Sequence, residues 1–178
     1  MQAEKEARLR KPRPEELDAI MRFLRGLGVD TVNPPVEVES LGLLEVPGAV
    51  YRDVFEAPEW ITVKPEIYEL LYATGYYIGL IAYRRGQPVF KPGLPLAHRL
   101  SRLCGTVIEC HVVDEAGERI LLYGKPVPLD LTLNVAGGVS VVVNTRNEAL
   151  GWARLRVRGG KGYLEPLLDL GWYLRRGG

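Results

Sequence analysis

The sequence predicts an α+β fold in two domains, a sheet-and-helix domain over residues 1–104 and a β-rich domain over 105–178. Three observations lead there. Apolar residues recur at helical spacing near the start (Leu17, Ile20, Met21, Leu24, Leu27). Runs rich in β-branched residues dominate the last third, above all Val139-Ser140-Val141-Val142-Val143. Charge divides with the chain: residues 1–83 hold 9 Lys+Arg and 14 Asp+Glu (9 − 14 = −5), residues 84–178 hold 14 and 8 (14 − 8 = +6), and the two sum to the net +1. A chain of 178 residues has room for one large or two small domains, and the opposite signs of the halves favour two.

Residues 1–13 are charged, lack apolar periodicity and are expected to fray. A helix is expected from Pro14, with Glu15, Glu16 and Asp18 in its first turns, Arg22 and Arg25 in its last, and Gly26 and Gly28 stopping it. Asn33-Pro34-Pro35 is a stiff connector, followed by short extended pieces at Val36/Val38 and Leu41/Leu43. Ala49–Glu56 and Trp60–Val63 read as strands joined by the turn Ala57-Pro58-Glu59. Pro65 opens a helix whose buried edge is Ile67, Leu70 and Leu71, and Thr74-Gly75 closes it. Tyr76–Tyr83 is a strand turning at Arg84–Gln87 into Val89-Phe90, and Leu94–Leu103 returns to helical spacing.

The second domain is expected to begin near Gly105, with Thr106–Val113 alternating as a strand. Residues 114–123 fit a hairpin turn or a short helix. Ala116, Ile120 and Tyr123, three or four apart, favour the helix, which Pro126 and Pro128 end. Weak strands around Leu129–Leu133 and Val135–Ala136 precede the valine strand, and Asn144–Glu148 is a polar loop. In Gly151–Arg158 the period of two puts Ala153, Leu155 and Val157 on one face and Trp152, Arg154, Arg156 and Arg158 on the other. Leu164, Leu167 and Leu168 complete the expected core of this domain.

Several function classes lose support on composition. The most apolar stretch, Leu70–Tyr83, is too short for the roughly 20 residues that span a bilayer, so no membrane role is expected. No secretory signal pattern opens the chain, and two cysteines, Cys104 and Cys110, are too few for a disulfide scaffold. A cytoplasmic, reducing setting is expected. Seventeen of the 23 basic residues are Arg, a bias compatible with a thermophilic, archaeal-like source. His98, Cys104, Cys110 and His111 lack the close spacing of a metal site, Gly26-Leu27-Gly28 lacks the strand and third glycine of a dinucleotide fingerprint, and no serine sits in a nucleophile elbow. The expectation is therefore no metal, no cofactor and no catalysis.

The arginine face points elsewhere. Arg154, Arg156 and Arg158 stand roughly 6.6–6.8 Å apart along a strand, twice the rise per residue. Cations in a row with an aromatic at one end track a phosphate backbone and stack a base, and Trp152 takes the second part. An edge strand charged against aggregation is the plainer alternative. Lys125, Lys161, Arg175 and Arg176 add to the cationic set of the same domain.

Certain strings also resemble a known family. Leu122-Tyr123-Gly124-Lys125, the valine strand, Glu148-Ala149-Leu150-Gly151, Asp169-Leu170-Gly171 and the ending Trp172-Tyr173-Leu174-Arg175-Arg176 resemble the PUA domain at the C-terminus of the Nip-seven family of large-subunit ribosome biogenesis factors. Upstream, Trp60-Ile61-Thr62-Val63, Gly79 and Phe90-Lys91-Pro92 continue the likeness more faintly. The resemblance implies a PUA pseudo-β-barrel over 105–178, RNA as partner, and a role in pre-rRNA processing. It implies also an N-terminal domain that contacts other assembly proteins. Within the basic set, Arg175-Arg176 is the part carried by the resemblance. Trp152 and the three alternating arginines are features of this sequence alone. The competing reading is an RNA-modifying enzyme, or its accessory subunit, whose PUA domain delivers RNA.

Overall fold

A computed structural model describes residues 7–29, 34–56, 72, 75–129 and 138–176, with the side chains of Tyr173, Leu174 and Arg176 outside the description. The fold is α+β. The chain forms two compact units, one of Met1–Arg25 with Asp30–Leu96 and the other of Gly26–Val29 with Ala97–Gly178. The division thus falls inside a helix, where the sequence placed it at Gly105. Trp60–Val63, the helix from Pro65 and the strands expected within 130–137 lie outside the described residues. No helix among the described residues is long and apolar enough to cross a membrane.

The first unit is an antiparallel sheet in the order β1-β2-β3-β4-β5, made of Arg8–Arg10, Leu41–Glu45, Tyr51–Glu56, Tyr77–Arg84 and Gln87–Pro92. Helix α1, Pro14–Gly26, buries Ile20 and Leu24, and Phe23 meets Phe90 edge to face at 5.4 Å. The N-terminal stretch expected to fray instead supplies β1, with Leu9 opposite Leu44. Its arginines explain why. The Arg10 guanidinium grips the fully buried Glu16 carboxylate with two bonds of 2.7 Å, and the Arg13 amide and Tyr83 hydroxyl donate to the same carboxylate. Paired charges, rather than an apolar period, hold this strand down, which is why hydropathy missed it.

The second unit is a curled sheet in the order β6-β8-β9-β10-β7: His111–Val113, Val139–Asn144, Ala149–Arg158, Lys161–Asp169 and Val127–Leu129. Among the described strands of this sheet, β6 and β8 pair in parallel and the other neighbours pair antiparallel. Helix α2, Leu94–Ser101, precedes this sheet, helix α3, Glu115–Leu122, crosses from β6 to β7, and helix α4, Leu170–Arg176, follows β10. The Asp114 side chain caps α3 by accepting from the Gly117 amide at 2.8 Å, so the helix, not the hairpin, forms over this stretch. Its buried side is Gly117 and Leu121, however, and the expected contacts Ala116 and Tyr123 are exposed. Leu121 packs with Val113, Val127, Val142, Leu150, Ala153 and Leu164 in the core.

Other expectations fail locally. Only His111–Val113 of the expected Thr106–Val113 strand forms, because residues 103–108 fold back on themselves: the Leu103 carbonyl accepts from Thr106, Val107 and Ile108, and the Gly105 amide donates to Ile108. The turn brings Cys104 and Cys110 into a disulfide, a pairing the sequence reading did not make and one that runs against the reducing setting expected from these cysteines. On β10 the register shifts between Pro166 and Leu168, which turns Leu167 outward, away from the core it was expected to join.

Candidate nucleic-acid interface

The hairpin β9–β10 positions the site. Gly159 and Gly160 both have positive φ, 56° and 75°, so a two-residue turn joins the strands and sets Lys161 opposite Arg158. Cross-strand pairs then follow by twos. Tyr163 faces Arg156, and Glu165 faces Arg154. On the far side of β10, Tyr163 also pairs with Pro128 of β7. Gly162 and Leu164 alternate inward and are buried, leaving Lys161, Tyr163 and Glu165 on the face that bears the arginines.

On this face the Glu165 carboxylate accepts from Arg156 Nε at 3.0 Å and lies 3.6 Å from Arg158 Nη2. A cleft of about 350 Å³ is lined by Arg156, Arg158, Tyr163, Glu165 and Pro126. Lys125, next to Pro126 in the turn after α3, is exposed, as is Lys161, and Arg154 is half-buried. Five expected cations, Lys125, Arg154, Arg156, Arg158 and Lys161, therefore belong to the strands and turn around this cleft. With Glu165 among them, the local balance is 5 − 1 = +4.

Two expected members do not take the places assigned to them. Trp152 is 1% exposed and ranks with the largest fully buried side chains, so it cannot stack a base. Simple alternation failed because Ala149–Ala153 is buried throughout whereas 156–158 is exposed throughout. The strand enters through the core and leaves beyond its edge, so Val157, expected inside, is 62% exposed. Gly151 marks the buried end: a Cβ there would lie 2.2 Å from the Leu168 carbonyl oxygen, too close for any side chain.

Arg175 is the other correction. It lies on α4 rather than on a final strand, and its guanidinium donates to the Asp169 carboxylate at 3.0 and 3.2 Å and to the Leu122 carbonyl. The seat is built from the strings singled out in the sequence. A Cβ on Gly171 would fall 1.8 Å from the Leu122 oxygen and 2.7 Å from Arg175 Nη1, and one on Gly124 would fall 2.9 Å from Arg175 Nη2. Tyr-Gly-Lys and Asp-Leu-Gly thus serve a clamp between α3 and α4. The side chain of Arg176 lies outside the described residues.

Sequence reasoning missed Tyr163, Glu165 and Pro126. The signal was present: a Gly-Gly hairpin turn fixes the register of its two strands, which places Lys161, Tyr163 and Glu165 opposite Arg158, Arg156 and Arg154.

A curled five-stranded sheet with a capped helix between β6 and β7, closed by a short C-terminal helix, is the architecture of a PUA domain, and residues 109–178 match the UPF0113 PUA domain. The class implies RNA binding. Over 182 aligned residues, covering 100% of both chains, the sequence is 37% identical to a UPF0113 protein of Aeropyrum pernix. The chain belongs to the UPF0113 family.

Proposed function

We propose that the protein is a non-catalytic, cytoplasmic RNA-binding factor of ribosome assembly, acting on the large subunit and its precursor rRNA as the resemblance to the Nip-seven family implies. The observation that carries the RNA-binding part is the outer face of β9 and β10. Four cations, Arg154, Arg156, Arg158 and Lys161, and the half-buried Tyr163 are arranged there by strand pairing, with Lys125 in the turn beside Pro126 of the adjoining cleft. Cations spaced along a strand follow a phosphate backbone, and the aromatic offers a platform for an unpaired base. The first unit, with its acidic balance, serves protein partners of the assembly pathway in this reading.

The test is binding of single-stranded rRNA fragments measured over a range of salt concentrations. Each phosphate neutralised contributes about −0.7 to the log-log slope for single strands, so a net of four charges gives about −2.8. Affinity that does not change with salt would overturn the reading. Depletion of the protein from cells should lower the yield of mature large subunits while small subunits persist. Normal large-subunit yield would remove the assembly role and leave RNA binding in place.

A further inference from the structure

We propose that the cleft between β9, β10 and the turn at Pro126 seats one internal nucleotide of a single-stranded RNA, its base against Tyr163 and its phosphodiester on Arg156 and Arg158. This rests on the RNA-binding reading above and adds a subsite to it. Three observations carry it.

The first is composition. The cleft combines two guanidiniums, one carboxylate, one aromatic ring and a proline, so it offers an apolar wall beside charged donors. Its volume of about 350 Å³ stands at the low end of the roughly 300–1,000 Å³ of small-molecule sites, the scale of a single small ligand. Bases inside a duplex are stacked and paired, so a base that enters must come from a single strand or a loop.

The second is charge. Arg156 and Arg158 share the single carboxylate of Glu165, which leaves the cleft at 2 − 1 = +1. A phosphodiester carries one negative charge and balances that. A terminal phosphate, close to a dianion at neutral pH, does not. Glu165 acts here as a positioning residue: one oxygen accepts from Arg156 Nε at 3.0 Å and the other lies 3.6 Å from Arg158 Nη2, drawing both guanidiniums toward the cleft.

The third is placement. Tyr163 sits midway along the hairpin, opposite Arg156 on one side and Pro128 on the other, with Lys161 and Arg158 toward the turn and Arg154 toward the core. A strand of RNA following the cations passes over Tyr163. Of the described aromatic side chains in this unit, Trp152 is buried and Tyr123 and Trp172 are exposed away from the cleft lining, whereas Tyr163 lines the cleft.

The experiment compares wild type with Tyr163→Ala, Tyr163→Leu, Tyr163→Phe and Arg156→Ala. Each is titrated with short oligouridylate, with oligoadenylate, and with an abasic ribose-phosphate oligomer of the same length, with melting temperature as the folding control. Loss of one base–aromatic stack weakens binding roughly 5- to 150-fold. Tyr163→Ala and Tyr163→Leu should show that loss on both RNAs with an unchanged salt slope, and Tyr163→Phe should retain wild-type affinity. On the abasic oligomer, wild type and Tyr163→Ala should bind alike. Arg156→Ala should weaken binding to all three oligomers and flatten the salt slope by about 0.7. The leucine variant keeps apolar bulk, so a folding defect in the alanine variant does not hide the result. If the alanine or leucine variant folds and binds RNA as wild type does while Arg156→Ala is impaired, the nucleotide cleft is wrong and the basic face stands. If wild type binds none of the oligomers, the RNA-binding reading and the cleft fall together.

Discussion

Arg175 and Asp169 form a clamp: the guanidinium meets both oxygens of a carboxylate that is only 4% exposed, at 3.0 and 3.2 Å, while its Nη1 also donates to the Leu122 carbonyl at the end of α3. One side chain therefore ties α4 both to β10 and to α3. An arginine expected to meet phosphate is committed to protein.

Arg175→Ala should consequently cost stability. It strands a buried carboxylate and an acceptor carbonyl. Removing one partner of a buried ion pair typically costs 3–5 kcal/mol, and the partial exposure of Arg175 brings the expectation to about 2 kcal/mol. Denaturant unfolding of the variant measures this directly. The slope of RNA affinity against salt should stay as in wild type, because the clamp contributes no phosphate contact. A variant with native stability and a flattened slope would return Arg175 to the binding surface.

Trp152→Ala should be damaging for a different reason. Emptying the site of a fully buried tryptophan removes its burial energy and leaves a cavity, typically about 3–5 kcal/mol. A thermal melt shows this as a large drop in Tm. RNA affinity measured well below that Tm should be close to wild type, since the ring has no exposed face on which a base could stack.

Acid should weaken the first unit through Glu16. Burial resists ionisation of this carboxyl, but the Arg10 guanidinium, the Tyr83 hydroxyl and the Arg13 amide together bring it down from 4.5 to about 2. Its folded pKa lies below the unfolded one, so the stabilisation is complete above about 4.5 and is lost as pH falls through about 2. Glu45, ion-paired to Arg8, Arg10 and Arg52, follows the same course. Urea unfolding monitored by Tyr signals of this unit should give falling stability across that window in wild type. In Glu16→Gln the fall should be shallower, from a starting point lower by about 3 kcal/mol because the guanidinium loses its charged partner. An equal acid dependence in both proteins would assign the transition to other carboxyls.

Periodicity and composition determined much of this molecule. The span of α1, the strand at 77–84, α2 and the valine strand are all legible, because each is a local pattern that tertiary packing completes rather than overrules, whereas the helix after Asp114 forms with Gly117 and Leu121 inside in place of the Ala116 and Tyr123 that its spacing suggested. The separation into an acidic and a basic half, and the PUA character of the C-terminal part, were likewise legible in the chain itself. Three matters were decided only by the tertiary structure. Strand β1 depends on Arg10 finding Glu16 and on Leu9 finding Leu44, contacts invisible to a hydropathy window. Trp152 and Val157 exchange their expected environments because a period of two assumes one covered face along the whole strand, whereas β9 is covered on both faces at one end and on neither at the other. The fates of Arg156 and Arg175 diverge for a related reason. Identical side chains end on an exposed strand face or in a structural clamp according to which carboxylate the fold brings within 3 Å, a half-exposed one on a neighbouring strand or a buried one beneath a helix.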